Sequence, residues 1–257
     1  MNAPDHLGMP QRVVITGGSS GIGLAVARYF LDNSASVGII GRDLAKLEHA
    51  AKELAPTSPH QLAVARADVS DEGEVHAAFE ALAEQLGGID LVVASAGTDG
   101  EMGTACEEIT AASFREVLDV NVVGTFLAVK HALPHLKLSA SASVVIVGSD
   151  SGFVSVPGML AYNASKGALV QLTRALAVEL FDAHGIRVNS VCPSIVDTPM
   201  ARRGLGMDSF DDAGYPVQSG ADIAWTVGYL ASAHSRAING VNLLSDFGYA
   251  GRSSFPA

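Results

Sequence analysis

Short runs rich in Val and Ile recur along the chain: RVVIT (12–16), SVGII (36–40), LAVAR (62–66), DLVVAS (90–95), SVVIVG (143–148), IRVNSV (186–191) and VNLL (241–244). These runs are apolar throughout instead of alternating, the pattern of parallel strands covered on both faces. The stretches between them, 21–32, 44–54, 72–86, 111–131, 160–182 and 221–233, are rich in Ala, Leu and Glu and carry a helical period. Asp43 before LAKLEHAAKEL and Asp71 before EGEVHAAFEALAEQL stand where a short carboxylate accepts the first free amide protons of a helix. Strands alternating with helices predict right-handed crossovers and an α/β, doubly wound parallel sheet. Residues 11–257 are expected to form a single domain behind a short loose tail at 1–10. The irregular stretch 194–219, with Gly204, Gly206 and Gly214, suits a mobile lid that closes over a substrate.

Composition narrows the partners. The 257 residues are 48% hydrophobic and 17% charged, enough for a sizeable core. A net charge of −11 argues against nucleic acid or an anionic membrane, either of which wants clustered Lys and Arg. No apolar run approaches the roughly 20 residues of a membrane span. The opening MNAPDHLGMPQ lacks the basic and apolar segments of an export signal. Two cysteines, Cys106 and Cys192, fit no metal-ligand spacing; a reducing cytoplasm is expected, with each thiol a small apolar core residue. His131 and His135 have an i, i+4 spacing that can bind zinc, but no third ligand is evident and Pro134 disturbs the turn, so they read as helix surface. No metal site is expected.

VVITGGSSGIGLAVARYF (13–30) reads as a strand, a Gly-rich turn and a helix opening near Ser20 and Gly21. Gly17, Gly21 and Gly23 let the backbone turn tightly and approach a ligand. With Ser19, Ser20 and Ile22 they surround a helix start whose free amides and partial positive charge suit a pyrophosphate. The position that usually reads the adenosine ribose, in IIGRDL, holds Gly41, and Arg42 follows with donors able to face a 2′-phosphate. NADP is therefore favoured over NAD, which stays open.

AYNASKGAL sets Tyr162 and Lys166 four residues apart, hence on the same face of a helix. A phenol with pKa near 10 is a poor base at neutral pH, and lowering it by three units needs about 4 kcal/mol. One cation about 4 Å away supplies roughly that much at an effective dielectric near 20. Ser149, at the end of the fifth run, is placed to donate to a substrate oxygen beside the phenol, with Ser151 a nearby rival.

TGGSSGIG, Asn121 in DVNVVGTF, Ser149 and YNASK, in this order, resemble the short-chain dehydrogenase/reductase family in its short single-domain branch, from residue 11 to about 250. The resemblance implies a seven-stranded Rossmann-type sheet and NAD(P)-linked interconversion of secondary alcohols and ketones. It implies a catalytic tetrad of Asn121, Ser149, Tyr162 and Lys166, with Tyr162 as general acid/base, Lys166 also holding the nicotinamide ribose, and Asn121 holding a proton-relay water. Asp68 would hold the adenine with Val69 beside it, Ser95, Ala96 and Gly97 would flank the cofactor, and Val196 and Thr198 would touch the nicotinamide amide.

Three motifs depart from the family pattern: ASAG at 94–97, Pro193-Ser194, and Asp246-Phe247-Gly248. Phe153, Val154, Met159, Met200, Met207 and Phe210 are expected to line a pocket for a hydrophobic or aromatic substrate, with Tyr215 nearby. Arg202 and Arg203 form either a solvated pair or a site for an acidic substrate. Apolar surface on 111–131 and 160–182, with the family habit, suggests a homodimer or homotetramer. The alternative function is a non-catalytic dinucleotide-binding sensor or scaffold, which has no reason to keep all four tetrad members.

Overall fold

The computed structural model describes residues 8–55, 58 and 61–252. Each apolar run becomes a strand because neighbouring side chains leave on opposite faces and both faces are covered. The strands are β1 (Arg12–Thr16), β2 (Ser36–Gly41), β3 (Leu62–Arg66), β4 (Leu91–Ala94), β5 (Ser143–Val147), β6 (Arg187–Pro193) and β7 (Asn242–Ser245). They form one seven-stranded sheet in the order β3-β2-β1-β4-β5-β6-β7, parallel throughout.

The helices are α1 (Gly21–Asp32), α2 (Leu44–Leu54), α3 (Glu72–Leu86), α4 (Ala111–Leu118), α5 (Gly124–Leu136), α6 (Leu160–His184), α7 (Pro199–Leu205) and α8 (Gly220–Ala231). Val14, Ile40, Val92, Val144 and Val188 pack with Phe79 and Leu82 of α3, Leu127 and Leu136 of α5, and Leu169 and Leu180 of α6. On the other face Val13, Ile15, Val37, Ile39, Val93 and Val145 meet Phe30 of α1, Leu47 of α2 and Val227 of α8. Full burial of one such side chain stabilises by roughly 1.5–3 kcal/mol. The chain leaves β3 at one edge and resumes at β4, beside β1, so the strand order reverses there. The crevice above the carboxyl ends of β1 and β4 is where ligands of such sheets bind.

Local signals behave as expected at α2 and α3, where Asp43 accepts from the Lys46 amide at 3.1 Å and Asp71 from that of Glu74 at 2.9 Å. Arg187 ties β6 to the end of α8: buried, it donates to the carbonyls of Leu230, Ala231, Ser232, Ser235 and Ile238. Arg12 and Asp90 pair at 2.6 Å where β1 begins.

The structure differs from the sequence reading in four places. Of the loose tail at 1–10, residues 1–7 lie outside the described residues. Residues 8–10 are packed: the Gly8 carbonyl accepts from Ala233, and Met9 joins the core of α1 and α8. The helix expected at 111–131 is interrupted by a π-helical turn, Asp119–Val123, and runs on to Leu136 through Pro134. An 18-residue window of this run, Ala111–Leu136, has the length and hydropathy of a membrane span, 1.2. Its Val117, Leu127, Ala128 and Ala132 are buried in the protein core. Stretch 194–219 contains α7, capped by Thr198, entered by Pro199 and closed by Gly206 at φ 63°. Cys106, expected in the core, is exposed because it belongs to the loop after β4; Cys192 is buried.

Candidate active site

The turn after β1 is built by close backbone approach. Gly17, at φ 69°, lies so near the end of β4 that a Cβ would meet the Ala96 backbone at 2.8 Å, and one on Gly23 would meet the Gly17 carbonyl oxygen at 2.3 Å. Thr16 Oγ1 accepts from the amides of both Ser95 and Ala96 at 3.2 Å. Within ASAG, this hydroxyl joins β1 to the β4 end. Gly97 follows, against Asn121.

Helix α1 opens at Ser20, whose side chain makes no cap bond, and its first turn holds no acidic residue. Helices α2, α3, α4 and α8 are capped by Asp43, Asp71, Thr110 and Ser219. The first amides of α1 thus lack a side-chain acceptor at the crevice, a donor set that fits a pyrophosphate.

At the adenosine end, an added Cβ on Gly41 would come within 3.4 Å of Ser19 Oγ, so both border the same space as exposed Arg42. Arg66 donates to the Arg42 carbonyl at 3.2 Å. Asp68 Oδ1 accepts from the Ser70 hydroxyl at 2.6 Å and amide at 2.9 Å, and these bonds, then Arg42 and Arg66, hold its carboxyl below the usual range. Val69 is buried against Gly124. At the other end Val196 is buried in the core, while Thr198 places its methyl beside Gly21 and its hydroxyl on the Ala201 amide. The glycine turn, Arg42 and Asp68 therefore fit a dinucleotide.

Ser149 follows β5, and Tyr162 and Lys166 lie in the first two turns of α6. The structure brings all three together. Lys166 Nζ lies 5.5 Å from the Tyr162 ring centre and donates to the Val147 carbonyl at 3.1 Å. Burial pushes the phenol up to about 12, the neighbouring Ser149 hydroxyl opposes this, and the charges of Asp150 and Asp99 add to it. Burial pulls the amine down to about 8, against a small opposing influence of the Cys192 thiol. The sequence reading sets an ammonium about 4 Å from the phenol, with an oxidised nicotinamide adding a second positive charge. In this arrangement burial dominates the phenol, and the amine's hydrogen bond goes to a carbonyl.

Asn121 sits in the π-helical turn. Its amide donates to the Thr98 carbonyl and to Ser165 Oγ, each at 2.9 Å, and its oxygen accepts from the Thr98 amide at 2.8 Å. Ser165 in turn donates to the Tyr162 carbonyl at 2.7 Å. The Asn121 side chain is thus a tie between the 97–100 loop and the helix of Tyr162, with both its N–H groups spent.

The expected pocket is gathered only in part. Phe153 lines a cavity of about 640 Å³ with Ser151, Val156, Leu160 and Asn163, a lining that includes none of Asn121, Ser149, Tyr162 or Lys166. Val154, Met159, Met200 and Met207 are partly buried outside that lining, and Phe210 is buried in the 194–219 stretch. Arg202 is held by Asp197 at 2.6 and 2.8 Å, and Arg203 reaches Asp99 at 3.2 Å. Both guanidiniums are solvent-exposed, and each is paired with a carboxylate. His131 and His135 turn to separate acids, Glu72 and Glu80. Asp150 and Asp99 escaped the sequence reading, although GSDSG displayed the first beside Ser149.

The short chain dehydrogenase family profile matches residues 11–205. The chain is 36% identical over 248 residues to 2-(R)-hydroxypropyl-CoM dehydrogenase of Xanthobacter autotrophicus, covering 94% of this chain and 99% of that protein. It is 32% identical to the NADP-dependent (R)-specific alcohol dehydrogenase of Lentilactobacillus kefiri, over 92% of this chain and 95% of the other. Among solved structures, the 3-ketoacyl-(acyl-carrier-protein) reductase of Brucella melitensis complexed with NADH superposes with a TM-score of 0.84 at 31% identity, covering 93% of this chain and 97% of that one. The chain belongs to the short-chain dehydrogenase/reductase family, whose members are NAD(P)-binding oxidoreductases, and alcohol–ketone interconversion is the chemistry its relatives share.

Proposed function

We propose that the protein interconverts a neutral hydrophobic or aromatic secondary alcohol and its ketone, with NADP preferred to NAD. The observation that carries this is the convergence of Ser149, Tyr162 and Lys166 at the strand ends beside the uncapped start of α1. A bound nicotinamide supplies the hydride donor or acceptor. The chain's own residues manage the oxygen and its proton. Tyr162, a phenol held near 12, is protonated at neutral pH and therefore suited to donate to a ketone oxygen. Accepting a proton requires Lys166 to turn from the Val147 carbonyl toward the phenol. An ammonium about 4 Å away lowers it by about three units at an effective dielectric near 20. Ser149 orients the substrate oxygen, and Asn121 fixes the helix that carries Tyr162.

Arg42, exposed beside Gly41, supports NADP, because no carboxylate stands there to repel a 2′-phosphate. The 194–219 segment is proposed as the lid, its neck pinned where the Asp197 amide donates to the Gln218 carbonyl and the Gln218 amide to the Ile195 carbonyl. Exposed Phe126, Leu160 and Phe181 support a homodimer or homotetramer, and the two unpaired cysteines support a cytoplasmic setting. The test is a screen of aryl and alicyclic alcohols and ketones with each cofactor, following reduced-nicotinamide absorbance. Turnover lost in Tyr162→Phe with reduced-cofactor binding kept within a few-fold is expected. More than a tenth of wild-type kcat in that variant would refute the role of Tyr162.

A further inference from the structure

Ser149 is followed by a carboxylate that none of the roles above uses. A serine hydroxyl has one proton and two lone pairs. Ser149 accepts the Ser151 amide at 3.1 Å and directs its own proton to Asp150 Oδ1, also at 3.1 Å. Asp150 is 9% exposed, and among the described residues no cation pairs with it. The charged and titratable groups facing Tyr162 come from four elements. Asp150 lies after β5, Asp99 on the loop after β4, and Lys166 on α6, while Cys192 on β6 faces Lys166. Arg203 of α7 pairs with Asp99, and Lys166 is turned to the Val147 carbonyl, which leaves Asp150 as the uncompensated acid beside the phenol.

We infer that Asp150 is a positioning residue of this site, which orients the Ser149 hydroxyl and biases Tyr162 toward donating a proton over accepting one. The inference rests on the tetrad reading proposed above. A negative charge favours the neutral form of a neighbouring acid. The device therefore sets the pH at which the site passes from proton donor to proton acceptor, and with it the balance between ketone reduction and alcohol oxidation.

Asp150→Asn keeps an oxygen for Ser149 and removes the charge, whereas Asp150→Ala removes both. Tyr162 is followed without turnover by carbon-13 NMR of labelled tyrosine, its resonance assigned by its loss in Tyr162→Phe. Asp150→Asn is expected to lower its titration midpoint by about 0.5–1 pH unit and to move the rising limb of kcat/KM for oxidation by the same amount. Asp150→Ala is expected to show the same shift with a roughly three- to tenfold lower kcat for reduction, a loss that Asp150→Asn does not show. Should Asp150→Asn fail to fold by circular dichroism, Asp150→Ser, also neutral and oxygen-bearing, takes its place. Midpoint and limb within about 0.2 units of wild type, or moved upward, overturn the assignment of Asp150 while Tyr162→Phe stays inactive. An active Tyr162→Phe overturns the tetrad reading itself.

Discussion

Lys166 stands 5.5 Å from the centre of the Tyr162 ring, and its amine is buried. Burial makes this ammonium a burden on the fold. With a pKa near 8 in the folded protein against 10.5 ordinarily, the amine disfavours folding fully below pH 8, and the penalty fades as pH rises toward 10.5. The difference corresponds to roughly 3 kcal/mol as an upper bound, since Lys166→Met also gives up the bond to Val147. Lys166→Met is expected to raise Tm at pH 7, with the gain shrinking between pH 8 and 10.5, while kcat falls by at least about 100-fold. A lower Tm at pH 7 would show that the Val147 bond outweighs desolvation.

A phenol near 12 separates the two directions of the reaction by pH. Oxidation needs the phenolate, so its kcat/KM is expected to climb steadily from pH 7 to 10. Reduction needs the phenol and is expected to be level near neutrality and to decline on the alkaline side. Parallel profiles for the two directions in steady-state assays would contradict Tyr162 as the titrating group.

Arg203 on α7 meets Asp99 on the loop after β4 at 3.2 Å, and Gly204 beside it leaves no room for a Cβ against Met102. This contact joins the 194–219 segment to the wall of the cleft. Arg203→Gln is expected to speed proteolysis within 200–215 about two- to fivefold, the effect of a largely exposed ion pair. Cofactor plus substrate should slow cleavage in both proteins; equal cleavage with and without them counts against a lid.

Arg42 is the basic residue at the adenosine end that Gly41 leaves room to use. Arg42→Ala is expected to raise KM for NADP about tenfold or more and to change KM for NAD less than twofold, as loss of a charge-assisted bond predicts. Equal effects on both cofactors would remove the basis for NADP preference.

Arg187 satisfies five carbonyls at the end of α8 from inside the protein. Arg187→Met fills much of the volume but takes one donor from each of these acceptors, leaving them to Ser143, Asn189, Ser235 and the Ile238 amide. Urea unfolding is expected to show a loss of about 3 kcal/mol or more. A loss under 1 kcal/mol would mean that water replaces the guanidinium.

Much of this was readable in the chain because local and global preferences agree. The strand runs could be buried on two faces only in a covered parallel sheet, and Asp43 and Asp71 mark their helices by side-chain chemistry that acts over three residues. The spacing of Tyr162 and Lys166 placed them on one face, as found. What could not be read there depends on contacts far apart in sequence. Where the Lys166 amine points is decided by the Val147 carbonyl, and the Asn121 side chain is claimed by Thr98 and Ser165. Helix α7 was announced by Thr198, Pro199 and Gly206, signals outweighed by the acidic, glycine-rich stretch that follows.

The wide turn at Asp119–Val123 also fixes the phase of everything after it. Each residue of an α-helix advances the chain by about 100°, so removing one residue from this turn would rotate the next three turns by that angle. Leu127, Ala128 and Ala132 would leave the sheet together, and Asn121 would lose Ser165 at the same stroke. The segment behaves as a gear with one extra tooth: chain length here is under stricter control than chain identity, and homologous recombination or design across it must preserve the count of residues before it preserves their kind.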